Sequence, residues 1–442
     1  MRKSIITLCK KERCFMTTFA MMTLGCKVNA YESAVYEKAL SDKGYQCVSQ
    51  KEAADVYVIN TCAVTNTAAA KSRQKIHQAK ALNPNAIIAV CGCYAQTHAA
   101  ALEKEGIDVL IGSSHKNELA DAIEAALAGK QVQVSFENVR QYSVFESMSL
   151  QQFMHQCRAF LKIQDGCNQF CSYCIIPYAR GMERSMPLAE VVAQAKQLVL
   201  HHKEIVLSGI HTGRYGRDID TNLLTLLKEL VKIEGLERIR ISSIEMNELS
   251  DELLQFIANE PKIGRNLHIP IQSAQDNVLK RMNRQYDMQY FRERMDYIRS
   301  LIPDISISSD VIVGFPGESE AEFNETLQNI EALKFSFLHV FPFSKRDNTP
   351  AAKMPGQWDN KTKKQRVKAL SSLSDHLYEA YQRQFIGKTL KVLMETIHDD
   401  VLSGHASEYF LVKVKGCASD INQMKDVYIT HYENGSLYGT IV

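Results

Sequence analysis

Short apolar runs alternate with amphipathic stretches along the first third of the chain. Four apolar runs predict strands at 20–24, 56–60, 86–90 and 109–111, and the amphipathic stretches predict helices at 31–40, 67–82, 97–105 and 118–127. Continuous apolar strands separated by helices indicate a parallel sheet that is covered on both faces. We therefore expect an open α/β sheet of the Rossmann or flavodoxin type.

A cysteine follows each of the first three predicted strands. These residues are Cys26, Cys62 and Cys93. A single cysteine in such a place is usually a small buried hydrophobe. Open parallel sheets bind ligands beyond the carboxyl ends of their strands, and three equivalent positions favour a shared site there.

A second alternation of strands and helices fills the middle of the chain. Six strands are predicted at 160–163, 204–207, 238–241, 266–269, 305–308 with 311–313, and 337–341. Six such units indicate a partial (β/α)6 barrel, in which the active site lies in the loops after the strands. The loop after the first of these strands carries three more cysteines.

Cys167, Cys171 and Cys174 lie close enough in sequence to share one inorganic centre. A zinc ribbon needs a second cysteine pair, and none follows before Cys417. A plant-type two-iron cluster has four residues between its first two cysteines, whereas this loop has three. The spacing therefore favours a four-iron cluster with three thiolate ligands and one iron that is open to another ligand.

The last part of the chain combines a basic helix with short alternating segments. The helix is predicted at 361–385, and strands are predicted at 390–395, 409–414, 427–430 and 436–441. Such strands indicate a small antiparallel barrel. From Thr389 onward the chain has 4 Lys or Arg against 7 Asp or Glu, so this barrel lacks the basic surface that phosphate contacts need.

Length and composition limit the possibilities further. A chain of 442 residues predicts about three domains, and a net charge of +2 neither requires nor excludes a nucleic-acid partner. The 12 cysteines, without a secretory signal or a membrane span, predict a reducing, cytoplasmic location. We expect an extension at 1–15, an N-terminal domain at 16–140, the partial barrel at 141–360, a basic linker helix at 361–378 and a C-terminal barrel at 379–442.

Two groups of motifs resemble the methylthiotransferase branch of the radical S-adenosylmethionine (SAM) superfamily. One is the string from Gln164 to Gly181 around the Cys167 loop, and the other comprises 23–29, 60–64 and 92–96. The resemblance implies that SAM binds the open iron and is cleaved to a 5′-deoxyadenosyl radical. It also implies an auxiliary 4Fe-4S cluster on Cys26, Cys62 and Cys93, with Cys91 as a buried strand-end residue.

The resemblance further implies which residues contact the cofactor and the substrate. The candidate SAM-binding residues follow the barrel strands, namely Tyr173, Gly209, Ser243, Glu245, Gln272 and Gly314. The candidate RNA contacts are basic residues, namely Arg180, Arg184, Arg214, Lys364 and Arg383. No residue is expected to act as an acid or base, because the chemistry would take place at the two clusters. His211, His268 and His339 are interpreted as hydrogen-bonded residues at the barrel end.

The expected activity is the 2-methylthiolation of a modified adenosine in tRNA. Leu24–Asn29 most resembles the branch that acts on N6-threonylcarbamoyladenosine at position 37 of the anticodon loop. Alternatives are the branches that act on N6-isopentenyladenosine or on a ribosomal-protein aspartate, and a noncatalytic iron–sulfur RNA sensor. The resemblance also implies a C-terminal TRAM domain with an OB-like barrel. We also expect two further partners, a sulfur donor and a one-electron reductant, and no membrane partner. The protein is expected to be monomeric.

Overall fold

A computed structural model describes residues 16–130, 132–133, 138–154 and 156–442 of the protein. The predicted extension at 1–15 lies outside these residues. The N-terminal region contains the elements β1 (Thr18–Thr23), α1 (Lys27–Asp42), β2 (Gln46–Cys47), β3 (Val56–Thr61), α2 (Asn66–Leu82), β4 (Ile87–Gly92), α3 (Cys93–Thr97), α4 (Ala99–Leu102), β5 (Val109–Ile111), α5 (Leu119–Leu127) and β6 (Val132–Gln133).

The strands of this region form one parallel sheet in the order β2-β1-β3-β4-β5-β6. Every residue of β3 is buried, as expected for a central strand covered by helices on both faces. The first five positions of this order are those of a flavodoxin-like sheet, whose ligand site lies where β1 and β3 diverge. The predicted helix at 97–105 is interrupted, because His98 has a non-helical backbone (φ −132°, ψ 27°).

The central region follows, with a mainly parallel set of strands. Its elements are β7 (Arg158–Lys162), β8 (Gln164–Asp165), α6 (Ile176–Arg180), β9 (Arg184–Ser185), α7 (Leu188–Val199), β10 (Glu204–Ser208), α8 (Leu223–Leu230), β11 (Arg238–Ile241), α9 (Asp251–Asn259), β12 (Asn266–His268), α10 (Asp276–Arg281), α11 (Met288–Leu301), β13 (Ser306–Val313), α12 (Glu320–Leu333), β14 (Phe337–Pro342) and α13 (Pro350–Lys353).

Six of these strands build the partial barrel. They form two three-stranded parallel sheets, β7-β10-β11 and β12-β13-β14. The Ile244 amide, which follows β11, donates to the His268 carbonyl of β12 over 3.0 Å and joins the two sheets. The six-strand expectation from the sequence is confirmed.

The chain ends with a long helix and a closed barrel. Helix α14 (Asn360–Arg383) packs on β14, where the Leu338 amide donates to Ser374 Oγ over 3.0 Å. The barrel strands are β15 (Thr389–His398), β16 (Val401–Ala406), β17 (Leu411–Lys415), β18 (Met424–Glu433) and β19 (Ser436–Ile441), closed in the order β15-β16-β17-β19-β18. Strand β16 was not predicted, because its residues show only weak alternation of polar and apolar character.

Arginines of the partial barrel attach the C-terminal barrel. Arg238 donates to the Lys391 carbonyl over 2.6 Å, and Arg240 donates to the Ala406 carbonyl over 2.7 Å. The Glu204 carboxylate holds both guanidinium groups from inside the partial barrel. These buried bonds fix the C-terminal barrel against β11. In the part of the chain that the structure describes, no helix is long and apolar enough to cross a membrane.

Candidate functional site

Cys26, Cys62 and Cys93 meet at the carboxyl end of the N-terminal sheet. Cys26 follows β1 and precedes α1, Cys62 follows β3, and Cys93 begins α3. Asn29 links the first two loops, because its side-chain amide donates to the Leu24 carbonyl over 2.7 Å and to the Thr61 carbonyl over 3.0 Å. The cysteines therefore lie around the point where β1 and β3 diverge, as the sequence predicts.

The three thiols of this group differ in exposure. Cys26 is exposed, whereas Cys62 and Cys93 are 6% and 3% exposed. Burial, together with the nearby Cys93 thiol, raises the pKa of Cys62 to about 12. Arg180 Nε donates to Cys93 Sγ over 3.1 Å, and its charge offsets part of the effect of burial on the pKa of that thiol. A cation is thus already placed beside one of the thiols.

Cys91 lies on the other side of β4. It is fully buried in the main hydrophobic core, together with Tyr36 and Val58. Cys93 belongs to the separate core that includes α2 and α6. The structure thus places Cys91 as a core residue, which agrees with its interpretation from the sequence.

The Cys167 loop is held in shape from both ends. The Cys167 amide donates to the Gly181 carbonyl over 3.0 Å, and the Cys174 amide donates to the Cys171 carbonyl over 2.9 Å. Gly166 has φ +72°, and a Cβ atom at this position would lie 1.9 Å from the Met182 carbonyl oxygen. Only glycine fits between the loop and this neighbouring backbone.

Two basic side chains contact the thiols of this loop. His211 Nδ1 lies 3.5 Å from Cys167 Sγ, and its Nε2 atom lies 2.8 Å from Glu248 Oε1. Burial opposes protonation of His211, but contacts with Cys167 and Glu248 raise its pKa to about 10. Arg284 Nη1 donates to Cys171 Sγ over 3.7 Å. Both cations stabilise thiolates, which are the form that binds metal.

Neither cysteine group is arranged for a single metal ion. A zinc ion with bonds of about 2.3 Å brings its sulfur ligands to within about 4 Å of one another. Among the described residues, the one group of three ligand atoms that all lie within 4.8 Å of one another comprises His268, Asp310 and His339. The wider spacing of the thiols fits a larger inorganic group with cysteine ligands, such as an iron–sulfur cluster.

A cavity of about 680 Å³ lies where the three regions of the molecule meet. Cys26 and Lys27 line it from the N-terminal sheet, and Tyr409 lines it from the C-terminal barrel. The partial barrel supplies the walls between them. This volume lies within the range of about 300–1,000 Å³ that is usual for ligand pockets.

The six predicted SAM-binding residues lie in two environments. Gly209 and Ser243 line the cavity. The other four surround the loop or make structural contacts. Glu245 accepts a hydrogen bond from Arg284 over 2.9 Å. The backbone amides of Gln272 and Gly314 donate to the Asp310 carbonyl and to the Glu318 carboxylate, respectively. Tyr173 packs beside Phe315 and Phe343.

The predicted RNA contacts also separate into two groups. Arg180 and Arg184 are 0% and 2% exposed, so the structure contradicts their prediction as RNA contacts. Their guanidinium groups face the buried Asp165 carboxylate instead. Lys364 and Arg383 are exposed on α14, and Arg214 is partly buried in an ion pair with Glu183. Of the five predicted RNA contacts, only Lys364, Arg383 and Arg214 can therefore reach a phosphate.

Sequence reasoning missed several polar residues of the site. His211 and Arg284 contact the thiols from more than forty residues away in sequence, and no short motif signals such a contact. His268 donates to or accepts from Ser308 Oγ over 2.9 Å and lies 3.3 Å from Asp310, which agrees with its interpretation as a hydrogen-bonded barrel-end residue.

Comparisons with known proteins cover nearly the whole chain. Residues 18–112 match the model of the uncharacterized protein family UPF0004, and residues 161–330 match that of the radical SAM superfamily. The chain is 44% identical, over 94% of its length and 94% of the relative, to the threonylcarbamoyladenosine tRNA methylthiotransferase MtaB of Bacillus subtilis (strain 168).

Two further matches extend this comparison. The chain is 35% identical, over 95% of its length and 92% of the relative, to the tRNA-2-methylthio-N(6)-dimethylallyladenosine synthase of Thermoanaerobacter pseudethanolicus. Among solved structures, the cobalamin-dependent radical SAM enzyme OxsB matches with a TM-score of 0.48 and 12% identity, over 83% of this chain and 56% of that one.

Proposed function

Because this chain belongs to the radical SAM methylthiotransferase family, we propose that it converts N6-threonylcarbamoyladenosine at position 37 of tRNA into its 2-methylthio derivative. The observation that carries the proposal is the pair of three-cysteine groups on one molecule, one of which reaches a cavity of nucleoside size through Cys26. Family membership makes the chain a radical SAM enzyme that uses SAM and a 4Fe-4S cluster, so the noncatalytic sensor is set aside.

We assign the SAM-cleaving cluster to Cys167, Cys171 and Cys174, and an auxiliary cluster to Cys26, Cys62 and Cys93. When bound, these clusters would supply reductive cleavage of one SAM at the first site and a place for sulfur from a separate donor at the second, where another SAM would supply the methyl group. A radical route suits the substrate, because its C2–H is not acidic and acid–base catalysis would not remove this hydrogen. His211 and Arg284 stabilise the thiolates of the first group, and Arg180 stabilises that of Cys93.

The surrounding residues position the substrate. Gly209 and Ser243 form part of the cavity wall that continues to Cys26, so a base in this cavity can face the auxiliary group. Aromatic rings of Phe337, Phe341 and Tyr409 offer surfaces on which a splayed base can stack.

We propose that the C-terminal barrel is a TRAM domain with an OB-like fold and that it holds the anticodon loop beside the cavity. The closed five-strand barrel supports this assignment. Because the barrel itself has more acidic than basic residues, Lys364 and Arg383 of α14 would supply cations for the RNA backbone. Sulfur and electrons would come from separate donors.

Nucleoside mass spectrometry of tRNA tests the proposed substrate. A strain without this protein should lack 2-methylthio-N6-threonylcarbamoyladenosine and accumulate the unmethylthiolated nucleoside. The wild-type protein should restore the product, and Cys167→Ala should not. Unchanged product in the deletion strain would contradict the proposal. Loss of the methylthio group from N6-isopentenyladenosine or from a ribosomal-protein aspartate instead would assign the chain to another branch.

Iron content and product analysis test the auxiliary group. Cys26→Ala should bind about half of the wild-type iron, still release 5′-deoxyadenosine from SAM in the presence of dithionite, and form no methylthiolated product. Cys91→Ala is the matched control, since this thiol lies in the core, and it should keep the full iron content. Sulfur insertion by the Cys26→Ala protein would remove the auxiliary group from the proposal.

A further inference from the structure

Lys27 places a positive charge on the wall of the cavity. It follows Cys26 directly and begins α1, and its side chain lines the cavity. Its Nζ atom lies 5.9 Å from the centre of the Tyr409 ring. Within the described residues, no carboxylate forms an ion pair with it and no acceptor forms a hydrogen bond with it. Among the described residues, Lys27 therefore has no carboxylate partner.

The charged surroundings of Lys27 increase this imbalance. Two further cations, Arg158 and Arg240, lie over the same Tyr409 ring, 5.5 Å and 4.9 Å from its centre. Both arginines already have their own carboxylates, because Arg158 pairs with Glu395 over 2.5 Å and Arg240 pairs with Glu204 over 2.6 Å. Neither of these two carboxylates forms an ion pair with Lys27.

Lys27 is exposed on the cavity wall, so an anion that arrives with a ligand can pair with its ammonium group. The N6-threonylcarbamoyl group carries such an anion, the carboxylate of its threonine part. The dimethylallyl group that is named for another relative has no charge. The two N6 substituents therefore differ in charge, which is the property that the Lys27 ammonium group can distinguish.

The position of Lys27 next to Cys26 fits the geometry of the substrate. Sulfur must reach C2 of the adenine ring, and N6 lies on the same Watson–Crick side of the ring. If Cys26 faces C2, the next side chain along the cavity wall faces the substituent on N6. The ammonium group lies over the Tyr409 ring, and both residues line the cavity.

We propose that the Lys27 ammonium group binds the carboxylate of the threonylcarbamoyl substituent and thereby selects this substrate over adenosines with uncharged N6 groups. The inference rests on the proposed function, because it assigns a recognition role to a residue of the same cavity. Two sources could supply the anion, since a phosphate of the RNA backbone would also bind a lysine. The test must therefore compare RNAs that differ only in the N6 substituent.

The experiment measures binding of anticodon stem-loops to the holoenzyme with SAM. One stem-loop carries N6-threonylcarbamoyladenosine at position 37, and the other carries adenosine. A hydrogen bond to a charged group predicts that the wild-type protein prefers the first RNA by about tenfold or more. Lys27→Gln should lose this preference and keep its affinity for the unmodified RNA, whereas Lys27→Arg should retain most of it. Lys228→Gln, on the exposed face of α8, is the matched control.

Each outcome has a defined meaning. An equal loss of affinity for both RNAs in Lys27→Gln would show a phosphate contact and overturn the proposal, as would an unchanged preference. Because the preference is a ratio measured on one protein sample, incomplete cluster loading or partial unfolding cancels. Competition between threonylcarbamoyl and dimethylallyl substrates should show a matching fall in the kcat/KM ratio.

The same stem-loops and protein variants distinguish a failure of this inference from a failure of the proposed function. If the wild-type holoenzyme does not methylthiolate the threonylcarbamoyl stem-loop, the proposed function fails. If it does so and Lys27→Gln discriminates as the wild type does, only the role of Lys27 fails.

Discussion

Arg180 is the residue on which the two halves of the site converge. Its guanidinium group lies 3.0 Å from Glu32 of α1 and 3.1 Å from Asp165 of β8. Lys116 and Lys162 contact the same two carboxylates, so this buried network holds more cations than carboxylates. Arg180 also donates to Cys93, so the same guanidinium group reaches the three-cysteine group of the N-terminal region.

Replacement of Arg180 should destabilise the protein strongly. Arg180→Met would remove a donor from the Asn29 side-chain oxygen and one of the cations that hold Glu32 and Asp165 in a region that excludes water, at a cost of about 3 kcal/mol or more. Arg214→Met removes a partly exposed arginine from its pair with Glu183 and should cost less than about 1 kcal/mol. Denaturant unfolding of both variants measures the difference. Equal costs would mean that the buried network contributes no more than a surface pair.

Glu204 makes stability depend on pH. Burial opposes its ionisation, but Arg240 and Arg238 more than compensate and hold its pKa below the ordinary value of 4.5. The stabilisation is therefore complete above pH 4.5 and is lost as the pH falls through the lowered pKa. Glu204→Gln should be about 3 kcal/mol less stable at pH 7, and the difference from the wild type should shrink in acid. Unfolding measured over a pH series checks this; a gap that is constant below pH 4.5 would contradict it.

At the scale of elements, the Cys167 loop depends on close contact with the segment that precedes β9. The Met182 carbonyl occupies the space beside Gly166 in which any other residue would place its Cβ atom. The loop therefore keeps its shape only while that backbone is in contact with it.

Gly166→Ala should disturb this loop more than its backbone angle alone explains. Gly435→Ala is the control, because Gly435 has a similar φ of +77° and no atom within 4 Å of the added Cβ. The control should cost about 1 kcal/mol, and Gly166→Ala should cost about 3 kcal/mol or more and lower the iron bound at Cys167. Unfolding curves measure the stability of the two glycine variants. Iron analysis on a Cys26→Ala background measures the iron bound at Cys167 in each of them. Similar values for both variants would show that the loop tolerates displacement.

At the scale of the whole molecule, the basic face of α14 and the cavity mouth must serve one RNA. If Lys364 and Arg383 each contact a phosphate, replacement of either by Gln should reduce the slope of log affinity against log salt by about 1. The effect should be the same for stem-loops with and without the N6 substituent, since phosphate contacts do not read the base. Binding titrations at several salt concentrations measure this, with Lys228→Gln as control. An unchanged slope would show that the RNA binds to a face of the protein other than that of α14.

Much of this organisation could be predicted from the sequence. Apolar periodicity predicted the N-terminal sheet and the six barrel strands, because buried parallel strands are continuous apolar runs. Cysteine spacing and strand ends indicated both three-thiol groups. The burial of Arg180 could not be predicted, because it depends on Glu32 and Asp165 meeting across two regions of the chain. For the same reason, the positions of His211 and Arg284 beside the thiols required the three-dimensional structure.

The unequal exposure of the N-terminal thiols has a consequence for maturation of the protein. Cys62 and Cys93 are buried, with Arg180 against Cys93, whereas Cys26 is exposed and lines the cavity. If the proposed auxiliary cluster forms on these thiols, its carrier would approach through Cys26, on the cavity side to which we assign the tRNA. Cluster delivery and substrate binding would then exclude each other, so a chain that lacks its cluster would have to be loaded before tRNA occupies the entrance.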